Sequence, residues 1–136
     1  MKLRNFACVT STLACLLSIS AISQGADDWV AINDPAELRT LYSNKTWTLI
    51  GPDAHGHYNV VTHYSADGRG VMIHEGDSFP RTWEVKGKDQ VCATAAGGTR
   101  CYRFERLRGD PNTIAVEDVD GGARMKFKVE DGIPKF

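Results

Sequence analysis

Residues 80–105 read PRTWEVKGKDQVCATAAGGTRCYRFE, three runs rich in aromatic, β-branched and alternating residues with breaks at Gly87-Lys88 and Ala96-Gly97-Gly98. Breaks of this composition are the chemistry of tight hairpins, so the three runs are read as antiparallel neighbours. Cys92 and Cys101 flank the Ala96-Gly97 turn symmetrically and stand directly opposite each other in a regular hairpin, which predicts a disulfide. A ring this short contributes roughly 2 to 3 kcal/mol.

Pairing the preceding hairpin about Gly87-Lys88 sets Trp83 opposite Cys92. One face then collects Arg81, Trp83, Val85, Cys92, Thr94, Cys101, Arg103 and Glu105. Trp83 and the disulfide mark that face as the inside, yet the same alternation turns Arg81, Arg103 and Glu105 inward and leaves Tyr102 and Phe104 outside. A β-bulge after Cys101 would return Tyr102 and Phe104 to the core. The other resolution is an interior that holds a charged cluster, a pocket for an anion or a polar molecule. Arg81, Trp83, Arg103 and Glu105 are therefore the candidate ligand-binding residues, against the plainer reading in which the arginines lie near strand ends and reach solvent.

Outward from this stretch the same grammar continues. From Lys45 the chain divides into about eight extended runs, at 45–51, 58–65, 69–75, 80–86, 89–95, 99–108, 112–119 and 123–130, bounded by Gly, Pro, Asp or Asn. Eight consecutive antiparallel strands close most simply into an up-and-down barrel, with a two-sheet sandwich as the alternative. In the last hairpin a turn at Gly121-Gly122 pairs Val116 with Phe127 and Ile114 with Val129, giving one apolar face. A turn at Asp120-Gly121 keeps the faces and changes only the register.

Ahead of the strands, Asp34-Pro35-Ala36-Glu37-Leu38-Arg39-Thr40-Leu41-Tyr42-Ser43-Asn44 has the signals of a short helix over 35–43. Asp34 can cap it, Pro35 suits its first turn, Glu37 can reach back to the cap, and Asn44 tolerates a left-handed stop. Leu38, Leu41 and Tyr42 share a face, which the helix must bury by plugging or flanking one mouth of the barrel.

Four histidines, His55, His57, His63 and His74, fall within twenty residues. A turn at Asp67-Gly68 makes His63 and His74 diagonal neighbours on the face of Met72, an arrangement suited to a soft metal or haem. The opposite face, with Thr62, Tyr64, Val71 and Ile73, is the better core, and the spacing matches no closed metal site, so no metal or cofactor is expected. No motif places Ser65 or Ser78 beside a base, and an enzyme is not expected either.

At the amino terminus Lys2 and Arg4 precede a charge-free segment, Phe6 to Ile22, which ends in Ser23-Gln24-Gly25-Ala26. That is the pattern of a secretory signal peptide over residues 1–25, with cleavage within 23–26, leaving a single domain over 26–136. Removing it takes away Cys8 and Cys15, so the remaining pair agrees with an oxidising compartment, periplasmic or secreted. It also leaves 14 basic against 17 acidic side chains once Lys2 and Arg4 are subtracted from the 16. That balance points neither to nucleic acid nor to a membrane surface, and a monomer is expected.

The run Ala36 to Trp47, followed by Tyr64-Ser65-Ala66-Asp67-Gly68, Arg81-Thr82-Trp83-Glu84-Val85 and Val91-Cys92, resembles small exported proteobacterial proteins of domain of unknown function family nine hundred and ninety-five. Arg81 and His63-Tyr64 depart from the Gly and Tyr-Phe common at the corresponding places in that family. The resemblance implies a secreted β domain without an established activity. Trp47 at the head of the first long strand is also similar to the tryptophan that closes the floor of lipocalin-like barrels. The leading expectation is accordingly a lipocalin-like binding domain that takes a small molecule in its barrel or a protein partner at its rim. The alternatives are a secreted inhibitor of a protease or lysozyme, acting through the Gly51–His57 loop or the Gly76–Pro80 connection, and a structural, envelope-associated protein.

Overall fold

The computed structural model describes residues 28–53 and 55–132, and the export segment lies outside the described residues. Chain order is β1 (Trp29–Ala31), α1 (Pro35–Tyr42), β2 (Lys45–Ile50), β3 (Val61–Tyr64), β4 (Arg69–His74), β5 (Asp77–Lys86), β6 (Gln90–Ala95), β7 (Gly98–Leu107), β8 (Asp110–Asp118) and β9 (Met125–Asp131). Each strand from β2 to β9 pairs antiparallel with the next, and β9 returns to β2, closing an eight-stranded up-and-down barrel. A closed sheet has no free edge along most of its length, which removes the usual route to edge-to-edge association. The short β1, absent from the expected elements because three residues carry no periodicity, pairs with Glu105 to Leu107 of β7, beyond the reach of β6.

Helix α1 begins as its sequence dictates: Asp34 Oδ1 accepts the Ala36 N–H at 3.0 Å and Pro35 fills the first turn. Asn44, at φ 55°, ends it in the left-handed conformation. Glu37 does not close a capping box and instead forms an ion pair with Arg106. Leu38, Leu41 and Tyr42 are buried, so the helix seals one end of the barrel. Tyr42 is the hub of that seal, its ring centroid 4.6 Å from Tyr64, 4.8 Å from Trp47, 5.1 Å from Trp83 and 5.8 Å from Phe104. Two indoles tie wall to floor, Trp47 Nε1 donating to the Leu41 carbonyl at 3.2 Å and Trp83 Nε1 to the Ser65 carbonyl at 3.0 Å. Aromatic pairs of this kind add to the free energy of burying their area.

The register of the central hairpins differs from the expected one, and the difference reverses a face. The turn after β5 holds three residues, since Lys86 pairs with Gln90, and this sets Trp83 opposite Ala93 and Glu84 opposite Cys92. Side chains alternate with period two, so the extra turn residue sends the whole of β6 and β7 to the other face. Trp83, Val91, Ala93, Tyr102 and Phe104 point inward. Cys92 and Cys101, paired as expected and bridged, lie on the outer face. No bulge after Cys101 is needed.

Two other registers shift without harm to the faces or change the hairpin outright. Ile114 pairs with Phe127 and Val116 with Met125, two residues from the expected match, and the apolar face survives. Glu75 and Gly76, both at positive φ, form a two-residue turn that extends β5 back to Asp77. Pro80 is tolerated there because β5 pairs with β6 only from Thr82 onward, so its missing N–H falls on an open edge.

Candidate functional site: the open interior of the barrel

With α1 and its aromatic cluster filling one end, the other end stays open between the β2–β3 and β8–β9 connections. The interior holds a cavity of about 390 Å³. Its lining divides by strand. From β2, β8 and β9 come Trp47, Leu49, Val116, Met125 and Phe127, an apolar wall; from β4 to β7 come Met72, Arg81, Ala93, Arg100 and Tyr102. Thr62 and Tyr64 of β3 join the two, and Asp118 closes the rim.

Arg81 is the unusual member. Its Nη2 lies 3.0 Å from Met72 Sδ, a weak acceptor, and its buried Nε has no hydrogen-bond partner. Among the described residues it forms no ion pair, whereas Arg100 is answered by Asp118 at 3.3 Å. A buried, charged donor left unmatched costs more than the ~1 to 3 kcal/mol typical of a neutral group. Phenols surround it. Burial raises the Tyr64 pKa, an effect that the charge of Arg81 and a hydrogen bond from it partly offset. Burial, followed by the charge of Asp118, raises that of Tyr102. Both hydroxyls therefore keep their protons at neutral pH.

Gly70 explains how Tyr64 reaches this position. It is the cross-strand partner of both Tyr64 and Arg81, and a Cβ there would stand 2.6 Å from the Tyr64 ring. The missing side chain is the space in which the ring lies. Nothing in the periodicity marks Gly70 for this role.

At the mouth, Asp53 organises the β2–β3 connection: its Oδ1 accepts the N–H of His55 and of His57, each at 2.8 Å, and its Oδ2 lies 2.9 Å from His57 Nδ1. Burial alone would raise the Asp53 pKa, but the bonds from His57 and His55 outweigh it and lower the value to about 2.

The structure thus separates the four candidate ligand contacts. Arg81 lines the cavity and Trp83 stands below it in the floor cluster. Arg103 and Glu105 face outward, a correction that follows from the three-residue turn before β6. They lie in a shallow depression of about 140 Å³ beside Ile32 and Ala115, where Arg103 meets Asp89 at 3.3 Å and Glu105 pairs with Arg124. Tyr102 takes their place inside, and Arg100, largely exposed, stands at the rim. The alternation of 98–104 contains that information once the turn is counted as three residues.

The histidine arrangement also changes. His63 pairs with Val71, not Met72, and lies buried on the outer face with Nδ1 2.9 Å from Thr46 Oγ1; burial lowers its pKa. His74 sits at the mouth, its ring 4.8 Å from that of His57. His63, Met72 and His74 are not brought together, and among the described residues no group of three or more His, Cys, Asp or Glu side chains is placed to hold a metal ion. Of the two loops considered for inhibition, the second is reduced to the Glu75-Gly76 turn.

No protein-family model matches the chain, and neither does any curated protein or solved structure. The resemblance to domain of unknown function family nine hundred and ninety-five is without support from these comparisons, while the closed eight-stranded barrel is compatible with a lipocalin-like architecture.

Proposed function

We propose that the protein is a binding domain, not a catalyst, which takes a small, partly apolar molecule into the open end of its barrel. One observation carries the reading: a cavity of about 390 Å³ lies between an apolar wall and a polar one, inside a fold whose other end is fully packed. Volumes of several hundred cubic ångströms with few polar groups are typical of small-molecule sites. Delivery to the periplasm or the exterior belongs to the same proposal. The Cys92–Cys101 disulfide is compatible with it, as is the finding that no helix among the described residues is long and apolar enough to cross a membrane.

The test is titration of the oxidised protein with the neutral fluorophore N-phenyl-1-naphthylamine. Saturable binding at one site per chain is expected, and Ala93→Trp or Met72→Trp, which fill the cavity, should abolish it. Thr94→Trp, on the outer face beside Ala93, should leave it intact. Absence of saturable binding to folded protein would refute the proposal, as would binding indifferent to both filling variants.

A further inference from the structure

One guanidinium inside the barrel has no carboxylate partner, and that names a ligand class. Arg100 is paired with Asp118, and the Asp53 carboxylate at the mouth is turned to the His55 and His57 N–H groups and the His57 ring. Arg81 has no carboxylate partner among the described residues: one guanidinium nitrogen lies against a thioether, Nε is buried without a partner, and the group hydrogen-bonds the neutral Tyr64 hydroxyl. A folded chain that keeps a guanidinium in a cavity with no carboxylate to pair it forgoes the stability that a methionine or leucine would give there. Arginine presents a planar fork that matches a carboxylate in bidentate fashion, and such pairs are among the strongest hydrogen bonds a site can offer.

We infer, resting on the small-molecule reading above, that the ligand is an organic monoanion with an apolar body. Its carboxylate is held by Arg81 with Tyr64 beside it, and its body lies against Trp47, Leu49, Val116 and Phe127. The one guanidinium without a carboxylate partner sets the single negative charge of the ligand. The two-sided lining sets its amphipathic shape, and the phenol of Tyr64, which lies over Gly70 and accepts from Arg81, keeps its own O–H to offer the carboxylate as a second hydrogen bond.

Competition experiments separate this inference from the proposal beneath it. Decanoate, decan-1-ol and decylammonium share a chain and differ in headgroup charge. Each is used to displace N-phenyl-1-naphthylamine from the oxidised protein. Decanoate should compete at least about tenfold more tightly than decan-1-ol, equivalent to about 1.4 kcal/mol, with decylammonium weakest. In Arg81→Gln the ratio of decanoate to decan-1-ol should fall towards one. Arg81→Lys, which keeps the charge and loses the fork, should give an intermediate ratio. Arg103→Gln, on the outer face, should leave the ratio as it is. If the fluorophore binds but the alcohol competes as well as the acid, or if Arg81→Gln keeps the preference, the anion assignment is overturned and the binding proposal stands. If the fluorophore does not bind, the binding proposal fails first. Loss of fold in Arg81→Gln, read by circular dichroism, transfers the decision to the acid-to-alcohol ratio in the unsubstituted protein and in Arg81→Lys.

Discussion

The two ends of the barrel solve opposite problems with the same strands. At the closed end, α1 and five aromatic rings fill the interior: the Trp47 and Trp83 indoles both find carbonyls, and Leu38, Phe104 and Ile114 are at most 2 % exposed. At the open end the same alternation delivers Arg81 to the interior and Arg100 and Asp118 to the rim, where Asp53, His55, Gly121 and Gly122 of the two connections line the mouth. Stability is thus concentrated at one end and ligand chemistry at the other, and a guanidinium without a carboxylate partner can be carried because the floor compensates for it.

The largest effect that tests this division is a truncation at the floor. Phe104→Ala should cost about 3 to 5 kcal/mol in denaturant unfolding. Phe127→Ala, at a partly buried position lining the cavity, should cost clearly less. Equal losses would erase the distinction between the ends. Next is the disulfide, which closes the β6–β7 hairpin on the outer face. Replacing both Cys92 and Cys101 by Ser should remove about 2 to 3 kcal/mol while leaving the Ala93→Trp effect on ligand binding in place. Smaller again is Arg81→Met, which should be neutral or stabilising by up to about 1 kcal/mol. A clear loss of stability would show that Arg81 serves the fold and not the ligand.

The smallest concerns pH. The Asp53 pKa is lowered in the folded protein to about 2, below the ordinary carboxylate value of 3.8, so its contribution is present above about 4 and is lost as pH falls through about 2. Solvent screening keeps that contribution under about 1 kcal/mol. Asp53→Asn should therefore flatten the acid limb of stability slightly and loosen the mouth, as read by faster amide exchange of His55 and His57. The amides of the floor should be unaffected.

Sequence reasoning reached the barrel, the capped helix, its buried face and the cysteine pair because each rests on strong local chemistry: Asp34-Pro35, hairpin glycines, and two cysteines equidistant from a turn. It stopped at register. Counting Gly87-Lys88 as the turn, and not Gly87-Lys88-Asp89, left β5 correctly oriented, so Arg81 and Trp83 were placed inside. The same miscount reverses β6 and β7, which puts Arg103 and Glu105 where Tyr102 and Phe104 stand, and leaves the faces of β8 and β9 as they are. A one-residue slip changes neither composition nor spacing, and only the pairing of complete strands reveals it. Gly70 was illegible for a different reason, since its role depends on a ring from the adjacent strand.

Backbone amide shifts during an NMR titration with decanoate test interior binding most directly. Progressive shifts at Thr62, Ala93, Val116 and Phe127, together with a shift of the Arg81 Nε–H resonance, are expected, with Arg103, Glu105 and Thr94 unchanged. Shifts confined to those outward residues, or to the outside of the 51–60 connection, would contradict a ligand held inside the barrel.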